Sequence, residues 1–77
     1  MYIHIAKTNG VLWSGEATAL VAPGSEGEIT ALPNHIPLVT TLRPGRLVVK
    51  QDGAEVFTHD VTRGVLEVTP EGATVLL

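Results

Sequence analysis

The sequence predicts an all-β domain, a small antiparallel β-sandwich or flattened barrel spanning residues 1–77 as a single unit. Three observations carry this. Apolar and polar residues alternate with period two in several short stretches. β-Branched residues fill those stretches, and nowhere is a helical repeat sustained. Turn-forming dipeptides recur between them at short, regular intervals, the spacing of a sandwich or barrel.

Taken in order, Ile3 and Ile5 alternate with Tyr2, His4 and Ala6 as in a half-buried strand. Asn9-Gly10 follows, a strong hairpin signal because both residue types tolerate positive φ. Val11 to Trp13 begins a return strand, and Ala17 to Ala22 is a longer apolar run closed by the turn dipeptide Pro23-Gly24. Ile29 to Leu32 and Leu38 to Leu42 flank a loop containing Pro33-Asn34, His35 and Pro37, where the prolines bar helix. Arg46 to Lys50 and Glu55 to Phe57 join through Asp52-Gly53, and Val65 to Val68 and Ala73 to Leu77 through Pro70-Glu71-Gly72. Turns are expected at Asn9-Gly10, Asp52-Gly53 and Glu71-Gly72, with Val48, Val56, Leu66, Val68 and Val75 in the core. No internal repeat, low-complexity segment or linker is visible.

Composition narrows the functional classes. The chain is 44% hydrophobic and only 17% charged, with a mean hydropathy of +0.27. A domain of this size buries only about 60% of its unfolded surface, so part of that apolar surface is expected to be covered by a partner. A net charge of −3 with five Lys and Arg argues against nucleic acid, which requires a basic stripe. There is no apolar run of membrane-spanning length and no signal-peptide pattern at the start. With no cysteine, there is neither a disulfide framework nor a thiolate metal site.

Catalytic chemistry finds no support. His4, His35 and His59 are dispersed, whereas a zinc site gathers three or four ligands; no metal ligand set is read. Gly24-Ser25-Glu26-Gly27 is neither a phosphate loop, which opens into a helix N-terminus, nor a nucleophile elbow, which sets its serine on a strand-to-helix turn. Glu26 and Glu28, two apart, would share one face of a strand. That arrangement suits a solvated edge or a protein contact better than acid–base work. No catalytic residue is assigned. His35 belongs on a stiff, solvent-facing loop, where a β scaffold usually carries its recognition surface.

Five segments carry a resemblance over nearly the full length: L-W-S-G-E-A (Leu12 to Ala17), V-A-P-G-S-E-G-E-I (Val21 to Ile29), L-P-N-H-I-P-L-V-T (Leu32 to Thr40), L-R-P-G (Leu42 to Gly45) and G-V-L-E-V-T-P (Gly64 to Pro70). In this order and spacing they resemble the N-terminal β-sandwich domain of the epsilon subunit of F-type ATP synthases. Three positions depart from the family pattern. Ile29-Thr30-Ala31 stands where leucine-glycine-isoleucine is usual, Asn34 replaces a glycine, and Arg63 replaces one of two paired glycines. Asparagine tolerates positive φ, so the Asn34 turn should survive.

The resemblance implies a non-catalytic subunit of the central stalk, binding the gamma subunit and the c-ring and passing ion-driven rotation to ATP synthesis. By motif matching, Glu28 and His35 would face the c-ring, with Glu26 as an additional contact. An acidic, rigid loop would complement a cationic ring loop, and an apolar sandwich face would cover gamma. It further implies a peripheral position on the cytoplasmic side of a bacterial plasma membrane, or its organellar equivalent, without direct membrane insertion. Family members commonly continue into a C-terminal helical hairpin that in some binds ATP. Without that hairpin no cofactor and no ATP binding are expected of residues 1–77. The alternatives are a free-standing β-sandwich adaptor unrelated to the rotor, and a small-ligand or enzymatic sandwich with a concave polar pocket.

Overall fold

A computed structural model describes residues 1–77 throughout. It contains nine strands: β1 (Tyr2–Lys7), β2 (Gly10–Glu16), β3 (Ala19–Gly24), β4 (Gly27–Ala31), β5 (Leu38–Leu42), β6 (Gly45–Gln51), β7 (Ala54–Val61), β8 (Gly64–Thr69) and β9 (Gly72–Leu76). No helix is long and apolar enough to cross a membrane. Every stretch read as a strand from alternation is one, and β5 has the predicted bounds.

Hydrogen bonding links the strands in the order β2-β1-β9-β8-β5-β3-β6-β7, with β4 on the other side of β3. Pairing between β3 and β5 is confined to Gly24 opposite Leu42. One layer (β2-β1-β9-β8-β5) therefore folds over a second (β4-β3-β6-β7) about this single joint, giving a nearly closed, barrel-like sandwich. Trp13 of β2 stacks on Phe57 of β7, ring centroids 6.1 Å apart, and closes the opposite seam. All pairs are antiparallel except β1 with β9. The expectation of wholly antiparallel sheets is corrected there: these two strands belong to different hairpins, so no tight turn dictates their direction.

The core lies between the layers. Ile3, Ile5, Leu20, Leu47, Val49, Leu66, Val68 and Val75 are its largest fully buried side chains, each stabilising the fold by about 1.5–3 kcal/mol. Leu66, Val68 and Val75 are core residues as predicted. Val48 and Val56 are not. In the run Leu47-Val48-Val49 the flanking residues point inward and Val48 outward, half-buried. Val49 pairs with Phe57 and Lys50 with Glu55, so Val56 is the extra residue of a β-bulge and stands 47% exposed.

Turn chemistry sets the two ends of the sandwich. Asp52 (φ 52°) and Gly53 (φ 85°) form the expected tight turn with positive φ at both central residues. Pro33-Asn34 is likewise a turn as predicted, whereas the remaining turns sit one or two residues from their predicted places. Thr8-Asn9 and Pro70-Glu71 are the turn residues, with Gly10 and Gly72 opening the next strand. Pro23-Gly24 lies inside β3, and the turn falls at Ser25-Glu26, because Gly27 (φ 133°) supplies the backbone reversal after it. Proline is tolerated in β3 because β6 pairs only with Ala19 to Val21, so no partner awaits an N–H from residue 23.

Candidate functional site

The register places the connections at two ends. One end carries the turns at residues 8–9, 25–26, 43–44 and 62–63. The other carries Met1, the bend at 17–18, the 32–37 loop, and the turns at 52–53 and 70–71.

At the first end, the Ser25-Glu26 turn is anchored to β5. The Ser25 backbone N–H donates to the Thr41 carbonyl at 2.9 Å, and Ser25 Oγ donates to the same carbonyl at 2.9 Å. The Arg43 N–H donates to the Pro23 carbonyl at 2.9 Å. Ser25 thus shapes a turn. Glu26 projects from it and Glu28 from the outer face of β4, both exposed and neither in an ion pair. Because Pro23 turns its carbonyl toward Arg43, it forms a non-hydrogen-bonded pair with Glu28, whose own N–H and C=O face the free edge of β4. Glu28 shares its outer face with Thr30, while Glu26 belongs to the turn.

His35 sits at the second end. Pro33-Asn34 forms the predicted turn, closed by the His35 N–H donating to the Leu32 carbonyl at 3.1 Å. Asn34 takes φ 65°, the conformation for which a glycine or asparagine is suited. The Asn34 N–H also donates to the Pro70 carbonyl at 3.2 Å, tying the loop to the β8–β9 turn. The His35 ring is half-buried, with Nδ1 2.7 Å from the Ile36 carbonyl oxygen. The structure therefore brings Glu26 and Glu28 together and sets His35 beyond the far end of β4. His4 lies on the outer face of β1, and His59 stacks on Phe57 at 6.2 Å; no three His, Asp or Glu side chains gather as metal ligands.

The two outer faces differ. Across β5, β8, β9, β1 and β2, the register aligns Thr41, Val65, Leu76, Ala6 and Val11 in one row. Val65 is 40%, Leu76 56% and Val11 58% exposed, while the next outward row on the same face, Val39, Glu67, Thr74, His4 and Ser14, is mostly polar and separates Tyr2 from it. On the opposite layer the outward row reads Thr30, Val21, Val48, Thr58, flanked by charged Glu28, Arg46, Lys50 and Asp60. Sequence reasoning anticipated the excess of apolar surface but not which residues share a row, since that follows from four separate registers.

A model of the family described as ATP synthase, Delta/Epsilon chain, beta-sandwich domain matches residues 1–77. The chain belongs to this family. It is 48% identical over 76 residues to the ATP synthase epsilon chain of Caulobacter vibrioides, covering 99% of this chain and 87% of that one. It is 40% identical over 76 residues to ATP synthase epsilon chain 1 of Methylococcus capsulatus, covering 99% of this chain and 54% of that one. The chain thus spans about half the length of most such relatives. Among solved structures, a chain of the Euglena gracilis mitochondrial ATP synthase OSCP/F1/c-ring assembly superposes with a TM-score of 0.85 at 21% identity, covering 96% of this chain and 48% of that one. A chain of the Tetrahymena thermophila mitochondrial ATP synthase central stalk/c-ring gives 0.80 at 13%, covering 99% and 61%. At such identities the likeness is one of fold.

Two departures from the delta/epsilon pattern find their explanation in this geometry. Asn34 fills the glycine position because its φ is the one asparagine tolerates best. Arg63 is accommodated because its φ is not positive, whereas Gly64 is held to glycine: a Cβ there would meet the Leu76 carbonyl oxygen at 2.7 Å.

Proposed function

We propose that this chain is the β-sandwich module of a non-catalytic rotor subunit in an F-type ATP synthase. It binds gamma through its apolar outer face and the c-ring through the β3–β4 hairpin and the β4 edge. The observation that carries this reading is the exposed apolar row Val65, Leu76, Ala6, Val11 across four strands, whereas the row on the other outer face alternates Thr30 and Thr58 with half-buried Val21 and Val48 and is flanked by charge. A contiguous apolar row bordered by polar residues suits a partner contact. The family's epsilon chains belong to ATP synthase, and the folds that superpose come from assemblies containing a c-ring.

Mechanically, the chain is a coupling piece and performs no bond chemistry. Forty-eight backbone hydrogen bonds and a fully apolar interior stiffen it, so torque applied at the hairpin reaches the apolar face without being lost in bending. Glu28, with Glu26 beside it, offers fixed negative charge to a cationic ring loop. His35 meets the ring at the far end of the same edge. The subunit is then peripheral, held at the cytoplasmic side of the membrane by the ring.

Titration calorimetry of this chain against purified gamma tests the reading. Saturable binding of one chain per gamma is expected. No binding would favour a free-standing adaptor, for which the same face would serve another protein.

A further inference from the structure

We propose that the mouth of the barrel at the end bearing the 8–9 and 62–63 turns is a binding site for a phosphate group. A cleft opens there, lined by Lys7 at the end of β1, His59, Asp60 and Val61 at the end of β7, the Thr62-Arg63 turn, and Leu77 after β9. Three features give it an anion's chemistry.

First, its donors lack partners within the protein. Lys7 and Arg63 form no ion pair, and neither they, His59 nor the Thr62 hydroxyl makes a side-chain hydrogen bond. Second, the one acidic side chain among the lining residues, Asp60, follows His59 on the outward-facing side of β7, where its Oδ1 lies 3.8 Å from Arg46 Nε. Third, charge is segregated along the molecule. Of the five basic side chains in a protein of net charge −3, Lys7, Arg43, Arg46 and Arg63 lie at this end and only Lys50 at the other. The acids are divided, with Glu26, Glu28 and Asp60 at this end and Glu16, Asp52, Glu55 and Glu71 at the other, so the excess of positive charge at this end comes from its basic side chains.

The site is also shaped. Val61, 4% exposed, lies among the lining residues, and the His59 ring is oriented by its stack on Phe57, 7° from parallel. A guanidinium, an ammonium, an imidazole and a hydroxyl around one concavity suit the several acceptor oxygens of a phosphate. Barrel mouths are a preferred place for such sites. The phosphate could be carried by free inorganic phosphate or by an anionic phospholipid headgroup, and the inference holds independently of the rotor reading.

The test is a titration of the isotopically labelled chain, followed by amide NMR, with inorganic phosphate at ionic strength held constant by sodium chloride. Saturable shifts at Lys7, His59, Thr62 and Arg63 are expected. Lys7→Gln and Arg63→Gln, made separately so that either suffices if the other fails to fold, should each weaken binding about tenfold; Lys50→Gln should leave it unchanged. A parallel arm sediments the chain with vesicles of phosphatidylglycerol in phosphatidylcholine, against phosphatidylcholine alone. Retention that needs phosphatidylglycerol and is lost in Lys7→Gln and Arg63→Gln identifies the headgroup as the source; saturation by free phosphate alone identifies the ion. The proposal is overturned if neither arm shows binding that depends on Lys7 and Arg63. It is equally overturned if chloride alone reproduces the shifts or Lys50→Gln weakens binding as much.

Discussion

Replacing Val65 and Leu76 together by threonine removes the middle of the apolar row while placing a β-branched, strand-compatible residue at each position. Full burial of a side chain of this kind is worth about 1.5–3 kcal/mol. Leu76 leaves 56% and Val65 40% of its surface exposed, so covering those portions would contribute about 2 kcal/mol between them. Losing that contribution corresponds to about a thirtyfold rise in the Kd for gamma. Folding should suffer far less, because both side chains point away from the core that Leu66 and Val75 fill. The expected stability change is within about 1 kcal/mol, or a fall in Tm of no more than about 4–8 °C. Calorimetry with gamma, paired with a thermal melt, reads both quantities. Unchanged affinity for gamma in the folded double variant would refute the assignment of this face.

Four further outcomes follow from particular residues. Glu28→Lys should leave melting and gamma binding close to normal, since an exposed charge contributes about 0.5 kcal/mol or less. It should nevertheless reduce ATP-driven ion pumping relative to ATPase rate in reconstituted vesicles, by setting like charge against the ring. His35→Glu tested in the same assay decides whether the far end of β4 takes part, and unchanged pumping would remove that residue. Gly72→Ala should be severely destabilising, because its Cβ would lie 2.0 Å from the Tyr2 carbonyl oxygen and force β1 from β9. A melting temperature within a few degrees of the parent would show that this parallel pair yields. Asn34→Gly should melt like the parent while Asn34→Ala loses about 1 kcal/mol, since φ 65° penalises alanine; equal melting would contradict the left-handed turn.

The strands were legible because period-two alternation survives in isolated stretches such as Ile3 to Ala6, and the Asp52-Gly53 turn because its chemistry is local. What failed was parity and placement wherever distant partners decide them. Leu47-Val48-Val49 is apolar throughout, so which residues face inward depends on pairing with β3 and β7. Val56 follows no alternation because it is bulged. Pro23-Gly24 reads as a turn until one knows that β6 releases β3 after Val21. The candidate site shows the same division. Glu26 and Glu28 fall on one hairpin as their spacing suggests, but a strand of five residues carries His35 to the other end. The Lys7–Arg63 cleft was invisible in the sequence, because more than fifty residues separate its two cations and only the joining of β1 to β9 and β8 brings their strands together.

In the rotor reading, two surfaces of this domain meet two different partners. Because the chain contains no cysteine, single cysteines at positions 28 and 76 can each carry a photoactivatable cross-linker without background labelling. In the F-type enzyme assembled with these variants, position 76 is expected to cross-link to gamma and position 28 to the c subunit. Cross-linking of both positions to the same subunit, or of neither to any, would contradict it.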